Sequence, residues 1–87
     1  MNKCLVVGCG VSKKDKKPYI TFRVWNEKFN SWTTQKTATG YGDYFSFIDD
    51  TDLYEYVRVH LGDAVVLVAE ACVTEYNTVG YTNFAVI

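Results

Sequence analysis

A single histidine, a single proline and three cysteines without a C-x-x-C pair exclude several kinds of protein at once. Cys4, Cys9 and Cys72 together with His60 do not make the donor set of a structural zinc site. They read as small, reduced, strand-borne hydrophobes, the state thiols keep in a cytoplasm. One histidine on a helical stripe cannot anchor a nucleophile–base–acid set, so no enzyme is expected. Gly8-x-Gly10 follows a strand but lacks a third glycine and a following helix, which excludes a dinucleotide site. Asp49, Asp50 and Asp52 resemble a metal cluster, but capping of a helix start explains them more simply. The apolar run from Cys4 to Cys9 is too short for a signal peptide, and no stretch approaches the roughly 20 apolar residues of a membrane span. The expectation is a cytoplasmic protein without metal, cofactor, membrane or small-molecule substrate.

What the sequence has in quantity is aromatic side chains: seven Tyr, five Phe and two Trp, 16% of the chain. With 87 residues there is one domain, spanning 1–87, whose folding buries only about 60–65% of the unfolded surface. That core does not need so many rings, and some should face solvent or a ligand. Charge is divided unevenly although the net value is −1. Residues 1–36 carry eight Lys/Arg against two acids, and residues 37–87 carry one base against eight acids. Such a split implies a basic surface on one side of the fold, or two halves that neutralise each other across it.

Periodicity then gives an element order. Lys3 to Val11 reads as a strand and Ser12 to Lys17 as a turn. Pro18 to Asn26 alternates, with Ile20, Phe22 and Val24 on one side and Tyr19, Thr21, Arg23 and Trp25 on the other. Trp32 to Thr39 is a third strand, broken at Gly40-Tyr-Gly42 by a bulge or bend and continued from Tyr44 to Ile48. Asp49 to Asp52 starts a helix whose stripe is Leu53, Tyr54, Val57 and Leu61, with Gly62 as its stop. Ala64 to Tyr76 and Tyr81 to Ile87 are strands joined at the tip Asn77–Gly80. The predicted fold is all-β: a small OB-like β-barrel of five strands with one short helix between strands three and four. An open α+β sheet and an SH3-like barrel with an inserted helix are the alternatives.

Three features carry the functional reading. Lys13, Lys14, Lys16 and Lys17 form a cationic finger between the first two strands, suited to phosphates without sequence reading, or simply a solvated tip. Tyr19, Arg23 and Trp25 share one strand face and form a stacking platform for unpaired bases, which Trp32, Thr34 and Lys36 would extend. Trp25 and Trp32 could equally pack across the hairpin. Tyr76 and Tyr81 at the base of the last tip would clamp a strand or pair with each other. Phe45 and Phe47 are expected to point inward, and Tyr41 and Tyr44 to lie at a groove rim.

Gly10-Val11-Ser12, a polar lysine stretch and Lys17-Pro18-Tyr19 resemble the first hairpin of filamentous-phage single-stranded DNA-binding proteins. Gly62-Asp63, Val65–Val68 and Tyr76-x-x-x-Gly80-Tyr81 are similar to the end of bacterial single-stranded DNA-binding proteins. The resemblance implies an OB barrel, usually dimeric, with Lys13 on phosphate, Tyr19 as a barrel or groove aromatic and Tyr81 near the tip of the second hairpin. No acidic tail follows Ile87, which points to a phage or plasmid protein supporting DNA replication. The expected partners are single-stranded DNA and a second copy of the chain, since a small core and open edges favour a homodimer. The rival reading is a small β-barrel that docks a partner protein and binds no nucleic acid.

Overall fold

The computed structural model describes residues 2–37, 39–75 and 77–87. Strands β1 (Asn2–Val11) and β2 (Pro18–Asn26) form a long hairpin, followed by three short strands, β3 (Ser31–Thr33), β4 (Gln35–Thr37) and β5 (Gly40–Gly42), and by β6 (Tyr44–Phe47). Helix α1 (Thr51–His60) continues into a single 3-10 turn (Leu61–Asp63), and β7 (Val66–Val73) and β8 (Val79–Val86) complete the order. The main sheet runs β3-β2-β1-β7-β8, antiparallel throughout, with β6 sharing the far edge of β2 beside β3.

The sheet is open, which overturns the expected five-stranded barrel and with it the fold that the family resemblance implied. Among the described residues no ladder joins β6 to β8. Where the two edges approach, the Ser46 side chain donates through Oγ to the Tyr81 backbone carbonyl at 3.5 Å. The reason is visible in the rings that fill the seam. Tyr44 of β6 stacks on Phe22 at 5.7 Å, while Tyr81 and Phe84 of β8 meet the same ring edge-on at 5.9 and 5.3 Å. Ring packing on Phe22, rather than a backbone ladder, joins the two edges.

Two bulges set which residues reach that core. In β1 the register shifts between Val6 and Gly8, so Val6 and Cys9, three apart, both turn inward. In β8 the register shifts opposite Val68 and Glu70, and Asn83 takes a left-handed φ of 55°. Inserting one residue carries Tyr81 and Phe84 to the same side, a spacing that strict alternation forbids. The Asn83 amide donates to Glu70 Oε2 across the bulge at 2.9 Å.

The expected third strand is divided. β3 pairs with the end of β2, β6 pairs with its beginning, and β4 and β5 leave the main sheet as a separate two-stranded ribbon. Gly40 and Gly42 therefore lie on the return strand of that ribbon rather than at a bend closing a barrel. The helix falls where its caps place it: the Asp50 carboxylate accepts from the amides of Asp52 and Leu53. Leu53 and Val57 face the core, joined by Ile20, Phe22, Ile48 and Leu67.

Candidate nucleic-acid interface

The hairpin between β1 and β2 ends in a built turn. The Ser12 amide donates to the Lys17 carbonyl at 2.9 Å and the Lys16 amide to the Ser12 carbonyl at 2.8 Å. The Asp15 amide donates to Ser12 Oγ at 3.3 Å, and Lys16 takes a left-handed φ of 54°. Lys13, Lys14, Lys16 and Lys17 are all exposed, and no ion pair among the described residues engages any of them. Four ammonium groups and one carboxylate, that of Asp15, thus share the tip, an excess of positive charge.

The turn delivers the chain to the outer face of β2. Ile20, Phe22 and Val24 are buried, so Tyr19, Thr21, Arg23 and Trp25 stand on the opposite side. Glycines on β1 make room for two of them. A Cβ at Gly10 would lie 2.8 Å from Tyr19 Oη and one at Gly8 2.7 Å from Thr21 Oγ1, so these side chains lie across the β1 backbone.

β6 adds two rings to this face, contrary to the expectation that they point inward. Its register sets Phe47 opposite Tyr19 and Phe45 opposite Thr21, while Tyr44 and Ser46 face the core. Phe45 is 50% exposed and Phe47 40% exposed. Tyr19 and Phe45 have ring centroids 5.0 Å apart, Phe45 and Phe47 also 5.0 Å, and Lys17 Nζ sits 6.0 Å from the centre of Phe47. The result is a continuous row, lysine–Phe47–Phe45–Tyr19, at the foot of the basic turn, with the two Phe rings exposed and Tyr19 half-buried. Ile48 held the signal for this arrangement: it is 4% exposed, and its parity puts Tyr44 and Ser46 inside and Phe45 and Phe47 outside.

The other end of the face carries Trp25 and Trp32, opposite each other on β2 and β3 with centroids 5.2 Å apart in an edge-to-face pair. Both are half-buried. Between the two aromatic groups lies Arg23, whose Nε donates to Asp43 Oδ1 at 2.9 Å. From Tyr19 to Trp25 the face runs about 20 Å along the strand.

The remaining expected site residues fall elsewhere. Lys36 lies on β4 in the separate ribbon, opposite Tyr41, so it does not extend the β2 face. Tyr81 turns toward the core: its ring meets Tyr44 at 5.3 Å, and burial pushes its phenol up to about 12. It does not stand at the hairpin tip as a clamp. Tyr44 is likewise a core neighbour rather than a rim residue, whereas Tyr41 is 79% exposed. Tyr76 lies outside the described residues. Of the aspartates before the helix, Asp50 is engaged by the helix amides.

In comparisons with known proteins, no family model, no curated protein and no solved structure matches this chain. With the barrel absent, the inference of a phage or plasmid origin loses the resemblance on which it rested. No helix of the described residues is long and apolar enough to cross a membrane.

Proposed function

We propose that this chain binds single-stranded DNA along the outer face of its open sheet, largely without sequence preference and without covalent chemistry. The observation that carries the reading is the row Tyr19–Phe45–Phe47, with both Phe rings exposed, beginning at a turn whose four lysines are in no ion pair among the described residues. Exposed aromatics contribute about 1–3 kcal/mol per stacked base and accept any base, because every base has a π-face. Ammonium groups at the end of the row meet the phosphates that such stacking brings close. Neither element needs a closed barrel, only a sheet face and a hairpin tip in register.

A fluorescence titration with labelled oligo-dT over a range of salt tests this. Three to five phosphate contacts give a log–log slope of about −2 to −4 for a single strand. Absence of binding at low salt overturns the proposal, and salt-insensitive binding to a protein partner would favour the docking-module reading. We place a homodimer within the same proposal. Val79, Val86 and Ile87 are exposed along and beyond β8, the last strand of the sheet order, and a second copy would cover them. Sedimentation showing only monomer at tens of micromolar (~50 μM) would remove the dimer and leave DNA binding untouched.

A further inference from the structure

At the end of the sheet away from the lysine turn, the start of β1 and the ends of β2 and β3 enclose a pocket of about 420 Å³. Small-ligand pockets run from roughly 300 to 1,000 Å³, so this one is large enough for a nucleotide. Its walls include Asn2, Lys3, Trp25, Asn26, Glu27 and Tyr81. The chemistry of these groups is specific. Asn26 Oδ1 already accepts from the amides of Lys28 and Phe29 at 2.9 and 3.2 Å, which fixes the side chain and leaves its NH₂ to donate. Glu27 is exposed and makes no ion pair among the described residues, so its carboxylate is available only to accept. Trp25 and Lys3 line it beside the core-side residues Val24 and Tyr44.

We propose that this pocket takes one unstacked, amino-bearing nucleobase, with Glu27 accepting from the base amino group, Asn26 donating to its neighbouring acceptor, and Lys3 toward the phosphate. Adenine, cytosine and guanine each carry an exocyclic amino group that projects from the pairing edge, with an acceptor on the same edge. Thymine's one donor, N3–H, is recessed between two carbonyl oxygens that repel a carboxylate, so it offers Glu27 less. The assignment rests on the single-strand reading above, because Trp25 belongs both to the pocket and to the outer face. A bound strand would stack along Tyr19, Phe45 and Phe47 and turn one base into the pocket at its far end.

The test uses the full chain labelled with ¹⁵N. Addition of dGMP, dCMP, dAMP and dTMP in turn should shift the Trp25 indole and the Asn2 and Asn26 side-chain amide signals, with dTMP weaker than the other three by about five- to tenfold. Glu27→Gln should abolish that difference, and Asn2→Phe should block the mouth and remove the shifts, with the thermal melts of both variants showing that the fold is kept. Oligo-dT binding without any mononucleotide shift at these signals overturns the pocket and leaves the proposed function standing. Pocket shifts without oligo-dT binding keep the nucleobase site and overturn strand binding. Equal response to dTMP, or shifts confined to Tyr19, Phe45 and Phe47, overturns the assignment.

Discussion

Asp43→Asn should make this protein bind single-stranded DNA more tightly. Arg23 stands in the middle of the proposed path, and the Asp43 carboxylate holds its guanidinium at 2.9 Å. A phosphate must displace that carboxylate or bypass the arginine. The two side chains are 47% and 33% exposed, and solvent-exposed pairs of this kind contribute about 0–1 kcal/mol to stability. Replacing the carboxylate by an amide of the same shape should therefore lower stability by less than about 1 kcal/mol. It should release roughly that much for a new phosphate contact, a three- to fivefold gain in affinity at low salt. One additional phosphate contact also steepens the salt dependence by about 0.7. Anisotropy titrations of both proteins at several salt concentrations, with thermal melts alongside, measure all three quantities. Arg23→Gln in the Asp43→Asn background should return affinity and slope to the lower values. An Asp43→Asn protein with unchanged affinity and slope would show that Arg23 lies off the path, and the two aromatic groups would then be separate features rather than one track.

Other expected outcomes follow from the same geometry. Phe45→Ala and Phe47→Ala should weaken DNA binding by about 1–3 kcal/mol each in a titration while barely moving the melting temperature. Trp25→Ala should lose a similar amount of affinity, with a stability change of about 0.5–1.5 kcal/mol from its lost pairing with Trp32, read by urea denaturation. Phe22→Ala should cost about 3–5 kcal/mol in the same denaturation experiment, because three seam rings rest on it. The Tyr81 phenol is raised from its ordinary 10 to about 12, so the folded chain keeps a proton that the unfolded chain has lost between those values. Stability contributed by the neutral phenol is complete below about pH 10 and falls as pH rises toward about 12; Tyr81→Phe should flatten that decline in alkaline melts.

Much of the strand pattern was legible because alternation and burial agree where a strand is long. β2 separates Ile20, Phe22 and Val24 from Tyr19, Arg23 and Trp25, and the structure keeps those faces apart. Asp50 and the Leu53–Val57 stripe likewise specified α1 through local chemistry alone. Closure was not legible, because it depends on whether two distant edges pair by backbone or by side chain. Neither a bulge at Asn83 nor rings leaning on Phe22 leaves a mark in local periodicity. Residues 44–47 offered two aromatic or hydroxyl-bearing parities, and greater hydrophobicity suggested the wrong one. Register against β2 and the buried Ile48 decide for Tyr44 and Ser46 inside. The short strands between Ser31 and Gly42 look continuous in sequence, since a threonine-rich run does not record where it leaves one sheet for another.

A closed ladder works as a hoop: its circumference is fixed, and changing it means breaking a row of backbone hydrogen bonds together. Here the two edges are fastened by a clasp of rings, Tyr44, Tyr81 and Phe84 on Phe22. Ring contacts are many and individually weak, about 0.1–0.2 kcal/mol per atom pair, so they yield by sliding rather than by rupture. An open seam of this kind lets the two edges shift against each other in small steps without breaking a row of backbone hydrogen bonds. Such a shift is borne at the clasp itself, by the contacts that Tyr44, Tyr81 and Phe84 make with Phe22.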